Sequence, residues 1–309
     1  MEVREKTMSR YVFGIDVGGT TVKCGLFDLE GNVLDKWEVP TRKKDGGKYI
    51  LPDVAASVKK VMEHKGIDAA DVEGLGVGVP GPVNEAGQVP VAVNIGWGFV
   101  DVAKEMHALT GLKVQAGNDA NVAALGEMWK GGARGCRNVV LATLGTGVGG
   151  GIIIGGKVIA GSHGAGGEIG HIHVEDAEEE VCNCGNKGCL EQMASATGIV
   201  RLARRHLAAS DEPSLLRDKS KKLSAKLVFD AVKEGDALAL SLIHIWMIFP
   251  LRSPVSRPWS TIFRTAASWR PTIIPSSTMT NFMTRRYTGS TMSCTGCCSC
   301  AWIGWRWHR

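Results

Sequence analysis

Tyr11-Val12-Phe13-Gly14-Ile15-Asp16-Val17-Gly18-Gly19-Thr20-Thr21 opens the interpretable part of the chain, and its pattern decides the fold. Tyr11 to Asp16 is a short apolar strand. Gly18-Gly19 turns it, and Thr20 to Asp28 is expected as a second strand. Gly31-Asn32 turns again into Val33 to Val39, which completes a β-meander. Glycine lets backbone N–H groups approach a phosphate closely, and threonine adds a hydroxyl donor. An acid entering such a turn, here Asp16, can hold Mg²⁺, usually through water. The setting is strand–turn–strand, which argues against a dinucleotide-binding Rossmann loop. A Walker loop would also need a Gly-Lys-Ser/Thr ending. The plain alternative is an ordinary hairpin.

The pattern recurs about 125 residues later, the kind of self-similarity that marks related halves. Asn138 to Thr143 is a strand, Leu144-Gly145-Thr146-Gly147-Val148-Gly149-Gly150-Gly151 a turn, and Ile152 to Ile159 a second strand. Two related α/β halves are expected, with both loops closing on one polyphosphate and Thr143 and Thr146 donating to it. Between them, Val54 to His64 has helical spacing, and Val72 to Val79 is a buried-type strand ending at Pro80-Gly81-Pro82. Asp101 caps a helix to about Leu109, and Leu112 to Ala116 is a strand. Asp119 to Trp129 is helical. Later, Gly198 to Ala208 and Ser224 to Glu234 read as helices.

Gly117-Asn118-Asp119 sits where a strand gives way to a helix. Asp119 there either caps the helix or serves as a general base, since a helix N-terminus favours an ionised carboxylate. Phosphoryl transfer needs little more from a protein than such a base, positioning and charge neutralisation. Gly167-Glu168-Ile169-Gly170-His171 is followed by Cys182-Asn183-Cys184 and Cys189-Leu190-Glu191. Three thiols and one imidazole suit tetrahedral Zn²⁺, and a closed Cys₃His set leaves no vacant position, so the role is structural. Glu168 and Glu191 flank these ligands and could be fixed by them as sugar-hydroxyl acceptors. His163, His173 and the tail histidines are expected to be solvated or core residues.

The 309 residues suffice for two domains, and their composition is uneven. All 31 Asp and Glu lie at or before Asp236, no Lys follows Lys233, and the segment from Leu240 carries eight Arg alone. The net +5 therefore averages two unlike segments and does not signal nucleic-acid binding. No signal-peptide pattern and no long apolar run appear, so a cytoplasmic protein without membrane attachment is expected. From Leu240 onward no helix or strand is expected. Leu240-Ser241-Leu242-Ile243-His244-Ile245 reads as the translation of a transposon mosaic-end adapter, so residues 240–309 are expected to be adapter-derived, frameshifted or chimeric. Metal binding by Cys294-x₂-Cys297 is not expected.

Asp16-Val17-Gly18-Gly19-Thr20, Gly117-Asn118-Asp119 and the Gly167 to Glu191 segment together resemble the ROK family, the repressor/ORF/sugar-kinase group. The likeness runs from about Tyr11 to Ala239 and is greatest to the family's bacterial glucokinases. The resemblance implies an actin-like ATPase/hexokinase (ribonuclease H-like) fold of two α/β domains. The first would span 11–117 and the second, incomplete, 118–239, after an N-terminal extension of ten residues. It implies ATP-dependent phosphorylation of D-glucose, or of another hexose or N-acetylhexosamine, with Mg²⁺ and a structural Zn²⁺. Asp119 matches the base. Asp16, Gly18, Gly19 and Thr20 match the first phosphate loop; Thr143, Gly145, Thr146 and Gly147 match the second. Gly81, Asn118, Asp119, Glu168, His171 and Glu191 match sugar contacts, and His171, Cys182, Cys184 and Cys189 match zinc ligands. A homo-oligomer, dimer or tetramer, is implied for the full-length form. The family's repressors carry an N-terminal helix-turn-helix, for which the ten residues before the first strand leave no room. Nothing after Leu240 matches the family's adenosine-binding glycine loop.

Overall fold

The computed structural model describes residues 10–162, 164–218, 222–248 and 301–307. Packing divides them into two units, the first holding the chain through Leu141 with Gly151–Gly167 and residues 301–303, the second Ala142–Gly150, the chain from Glu168 to residue 248 and residues 304–307. The helix that begins at Asp119 falls in the first unit.

In the first unit β1 (Tyr11–Val17), β2 (Thr21–Phe27) and β3 (Val33–Pro40) form the expected meander. Then come α1 (Ile50–Lys65), β4 (Val72–Val79), a two-residue ribbon of β5 (Gln88–Val89) with β6 (Val100–Asp101), α2 (Val102–Thr110), β7 (Val114–Asn118) and α3 (Asp119–Lys130). The sheet order is β3-β2-β1-β4-β7. β1–β2 and β2–β3 are antiparallel, while β1–β4 and β4–β7 are parallel. Parallel neighbours need crossover connections, which α1 and α2 supply.

Strand alternation sends Phe13, Ile15 and Val17 to one face, where they join Val22, Cys24 and Leu26 of β2 and Leu75, Val77 and Val79 of β4. α1 lays Ile50, Leu51, Val54, Ala55 and Val58 on that face, and α2 adds Val102 and Met106. α1 stops at Gly66, whose φ of 63° is the left-handed conformation glycine adopts without strain. Asp101 caps α2 as expected, its carboxylate accepting the Lys104 N–H at 3.0 Å.

β8 (Asn138–Leu144), β9 (Val148–Ile154), β10 (Lys157–Val158) and β11 (Ala301–Trp307) make a four-stranded sheet ordered β10-β9-β8-β11. The second glycine loop is shorter than the sequence suggested. β9 already begins at Val148 and carries three glycines, so Gly145 to Gly147 alone turn the chain. Gly151 must be small because a Cβ there would stand 2.5 Å from the Ala120 carbonyl oxygen on α3.

The second unit adds α4 (Leu190–Ala194), α5 (Ala196–Ala209), α6 (Ala225–Lys233) and α7 (Ala237–Ile248). Ile199, Ala203, Leu216, Leu223, Val228, Ala231, Leu238, Ala239 and Leu242 form its helical core. Ser195 caps α5 through the Gly198 N–H and Ser224 caps α6 through the Leu227 N–H, at 3.0 and 3.2 Å. Buried Asp236 accepts the Ala239 N–H at the start of α7, together with the Leu215 N–H and the Ser214 hydroxyl.

Two expectations about the tail need correction. α7 runs past Ala239 to Ile248, with Leu242 packed in the core, because an apolar run after a capping acid continues a helix. Ala301–Trp307 is a strand beside β8, and its aromatic and β-branched composition suits one. Cys294 and Cys297 lie outside the described residues.

Glu178 is the charged anchor of the second unit. It is 4 % exposed and meets Arg201 at 2.5 Å and Arg205 at 3.0 Å. Arg201, then Arg205, hold its carboxyl down at about 2, against burial, which pushes the other way. Because the folded value is depressed, the stabilisation is complete above the unfolded value near 4.5 and is lost as pH falls through about 2. Glu178→Gln is therefore expected to lower unfolding free energy by about 2–3 kcal/mol at neutral pH. Denaturant titrations of both proteins should converge as pH falls from 4.5 toward 2.

Candidate active site

β1, β4 and β7 run parallel, so their C-terminal ends share one edge of the first sheet. Ligands of parallel sheets bind at such edges. Asp16 is opposite Gly78 on β4, and Gly78 is opposite Gly117 on β7. Three turns separated in sequence, at Gly18-Gly19, Pro80-Gly81 and Asn118-Asp119, therefore leave the sheet side by side. Alternation puts Ile15 and Val17 in the core and leaves the Asp16 side chain exposed. Gly18 closes the hairpin by donating to the Thr21 carbonyl at 3.2 Å, and a Cβ on Gly18 would stand 2.6 Å from that oxygen. Thr41, after β3, pins the turn: its N–H donates to the Thr20 carbonyl at 3.0 Å and its hydroxyl to the Gly18 carbonyl at 2.7 Å.

The cap of α3 is Asn118, not Asp119. The Asn118 side chain accepts the Asn121 N–H at 3.1 Å and donates to the Gly81 carbonyl at 3.1 Å. Gly81 itself has a φ of 128°, a conformation open to glycine. Asp119 is the first helical residue; its side chain accepts the Ala120 N–H at 2.7 Å and is exposed at the same edge. Gly78 keeps a small profile beneath it, a Cβ there standing 3.7 Å from the Asp119 Cα.

In the second unit, the start of α4 and α5 shapes the second glycine loop. The Gly145 carbonyl accepts the Ala196 N–H at 2.8 Å, and the Thr146 carbonyl accepts the Thr197 hydroxyl at 2.8 Å. Glu191 accepts the Val148 N–H at 2.9 Å. Its carboxylate lies so near Gly147 that a Cβ there would be 2.3 Å away. Thr143 is half-buried on β8 and Thr146 is exposed at the turn. Glu168 is exposed and leads into a short 3₁₀ turn, Ile169–His171. Gly170 in that turn lies against Val148, where a Cβ would stand 2.2 Å from the carbonyl oxygen. Glu191, Glu168 and the loop thus belong to one unit.

The His171, Cys182, Cys184 and Cys189 donor atoms all lie within 4.8 Å of one another. The Cys184–Cys189 sulfurs are 3.5 Å apart, and Cys182 Sγ is 3.7 Å from His171 Nδ1. Those edges fit a tetrahedron of zinc–sulfur and zinc–nitrogen bonds of about 2.0–2.3 Å. Burial pushes the Cys189 thiol up to about 12, whereas a bound cation favours thiolate. The knuckle is tied by the Cys182 N–H to the Asn186 carbonyl at 2.7 Å and the Gly185 N–H to the Cys182 carbonyl at 2.8 Å.

His173 is exposed but braced: one ring nitrogen is 2.9 Å from the Lys187 carbonyl and the other 2.7 Å from Asp176. His173 is thus a solvated histidine, as expected, and its two bonds also brace the chain across the knuckle. Asp176 raises its pKa above the usual histidine value. His163 lies outside the described residues. Thr41 and Thr197 escaped the sequence reading because single threonines carry no spacing signal.

The ROK family model matches residues 12–248, nine residues beyond the expected end of the likeness. The glucokinase of Halalkalibacterium halodurans is 45 % identical over 240 residues, which is 76 % of this chain and 73 % of that protein. The crystal structure of a ROK family glucokinase from Streptomyces griseus, in complex with glucose and AMPPNP, superposes with a TM-score of 0.64 at 34 % identity. That alignment covers 78 % of this chain and 76 % of that one. A ROK family transcriptional regulator, a homolog of the E. coli MLC protein, superposes with a TM-score of 0.69 at 28 % identity, covering 77 % and 60 %. The fold is the expected actin-like ATPase/hexokinase type. The chain belongs to the ROK family, among its sugar kinases.

Proposed function

We propose that the chain transfers the terminal phosphoryl group of ATP to D-glucose, giving glucose 6-phosphate and ADP. The observation that carries this is the gathering of Asp16, Gly18, Gly81, Asn118 and Asp119 at one edge of the parallel strands. The 45 % identity to a glucokinase supports glucose over an N-acetylhexosamine.

In this reading Asp119 accepts the proton of the attacking sugar hydroxyl. Glu168, His171 and Glu191 hold other sugar hydroxyls, with Gly81 and Asn118 completing the contacts. The loops Asp16–Thr20 and Thr143–Gly147 receive the phosphates. Asp16 would hold Mg²⁺ through water, and the cation would neutralise phosphate charge. Zinc at His171, Cys182, Cys184 and Cys189 is structural, and it fixes Glu191 because Cys189 begins the helical turn carrying that carboxylate. A second reading, sugar binding without turnover, draws on the likeness to the transcriptional regulator; phosphorylation of glucose by the purified chain decides between them.

Asp119→Asn keeps the size of the side chain but removes the base. General-base assistance is worth about 10²–10⁴-fold, so kcat should fall by that factor while the KM for glucose changes little. Asn118 caps α3, so the variant should remain folded. Near-parental turnover by folded Asp119→Asn would refute the assignment. Asp16→Asn should instead raise the KM for MgATP more than that for glucose.

Cys182→Ser should release the metal and lower the melting temperature. Elemental analysis of the purified chain under reducing conditions should find one zinc per chain in the parent and less in the variant. A parent free of stoichiometric zinc would sink the structural-zinc reading.

A further inference from the structure

Four cations, Arg42, Lys43, Lys44 and Lys48, crowd the segment after β3. Arg42 is neutralised by Asp53 through two N–H···O bonds of 2.5 Å, and Lys48 lies 3.5 Å from Asp45. Both also sit over the Tyr49 ring, at 4.5 and 4.9 Å. Neither the Lys43 nor the Lys44 side chain has a carboxylate or hydrogen-bond partner among the described residues; Lys43 is set apart by where its ammonium lies. It is 3.4 Å from the point a Cβ on Gly19 would occupy.

The backbone around Lys43 is held in place. Thr41, two residues before it, is bonded to both the Gly18 and Thr20 carbonyls. The Lys43 carbonyl accepts the Gly47 N–H at 3.2 Å. The Gly47 carbonyl in turn accepts the indole N–H of Trp97, a residue only 3 % exposed, at 3.1 Å. Asp45, Gly46 and Gly47 make the tight return with φ of 55°, 69° and 70°. The backbone on both sides of Lys43 is thus anchored, and its ammonium stands beside Gly19, which has no side chain to come between them.

We propose that Lys43 is a phosphate-binding residue of the first loop. Its ammonium meets the anionic oxygens of the phosphoryl group seated on Gly18–Thr20, where negative charge spreads during transfer. A lysine suits this task as a compact point charge with three donors. The inference deepens the kinase reading and rests on its assignment of that loop.

Two measurements test it on the full chain. The first is calorimetric binding of inorganic tripolyphosphate, which needs neither adenine recognition nor turnover. The second is steady-state kinetics with MgATP and glucose. Lys43→Met keeps the stem and removes the charge; Lys44→Met, one residue on, is the control. Lys43→Met should weaken tripolyphosphate binding by about tenfold, the order expected for one charge-assisted hydrogen bond, and less at high salt. It should raise the KM for MgATP similarly and leave the KM for glucose unchanged, and Lys43→Arg should restore most of the loss. Lys43→Met indistinguishable from Lys44→Met in tripolyphosphate affinity overturns the proposal, as does a parent that binds no tripolyphosphate. A parent that binds tripolyphosphate through Lys43 yet never phosphorylates glucose leaves this residue's role standing and rejects the kinase reading instead.

Discussion

Parallel pairing of β1, β4 and β7 is the constraint on which the candidate site depends. Residues 16, 81 and 119 are far apart in the chain, yet parallel register delivers each strand end to the same edge. The core secures that register. Phe13, Ile15 and Val17 alternate inward on β1, and a slip of one residue would expose all three while burying Asp16. The apolar pattern that stabilises the sheet is therefore what aims the carboxylate outward.

Backbone does much of the work at both glycine loops. Where Gly18, Gly81, Gly147 and Gly170 occur, carbonyl oxygens or a carboxylate stand 2.2–3.0 Å from the place of a Cβ. Side chains are excluded there because neighbouring chain already fills the space. The loops are also held from outside by hydroxyls, Thr41 on the first and Thr197 on the second, beside the backbone bonds from Thr41 and Ala196. Glu191 ties the second loop to the His/Cys cluster, whose Cys189 lies two residues before it, so loop and cluster meet on one short helix.

Much of this was legible in the residues. The meander, the buried strand at Val72 to Val79, the helix from Asp119 and the clustering of His171 with the three cysteines all follow from turn chemistry, periodicity and ligand spacing. What was not legible depends on packing across long separations. A run of glycines reads as a loop, yet in β9 the ladder and the closeness of α3 make it a strand. Asp119 and Asn118 are equally good caps by residue type, and only the structure assigns the cap to Asn118, whose side chain takes the Asn121 N–H while also bonding the distant Gly81 carbonyl. His173 carries no motif, and its bracing partners Asp176 and Lys187 lie on separate stretches of the knuckle.

The junction at Ala239 shows how a local rule can outrun its origin. Asp236 caps α7, and Leu238 and Ala239 bury against α5 and α6 as the preceding pattern requires. Beyond them Leu240 to Ile248 contributes no charge and is apolar nearly all round, unlike the two-faced α6 before it. A helix already nucleated extends readily through such residues, since propagation costs far less than initiation. The continued helix is therefore compatible with an adapter-derived reading of Leu240 to Ile245. Leu242 is buried there at 5 %, but Leu240 is 39 % exposed. A helix with apolar residues on every side stabilises a fold only where every side is covered. The first turns of α7, through buried Leu242, thus belong to the helical core of the kinase body, and the turns beyond follow the path they set.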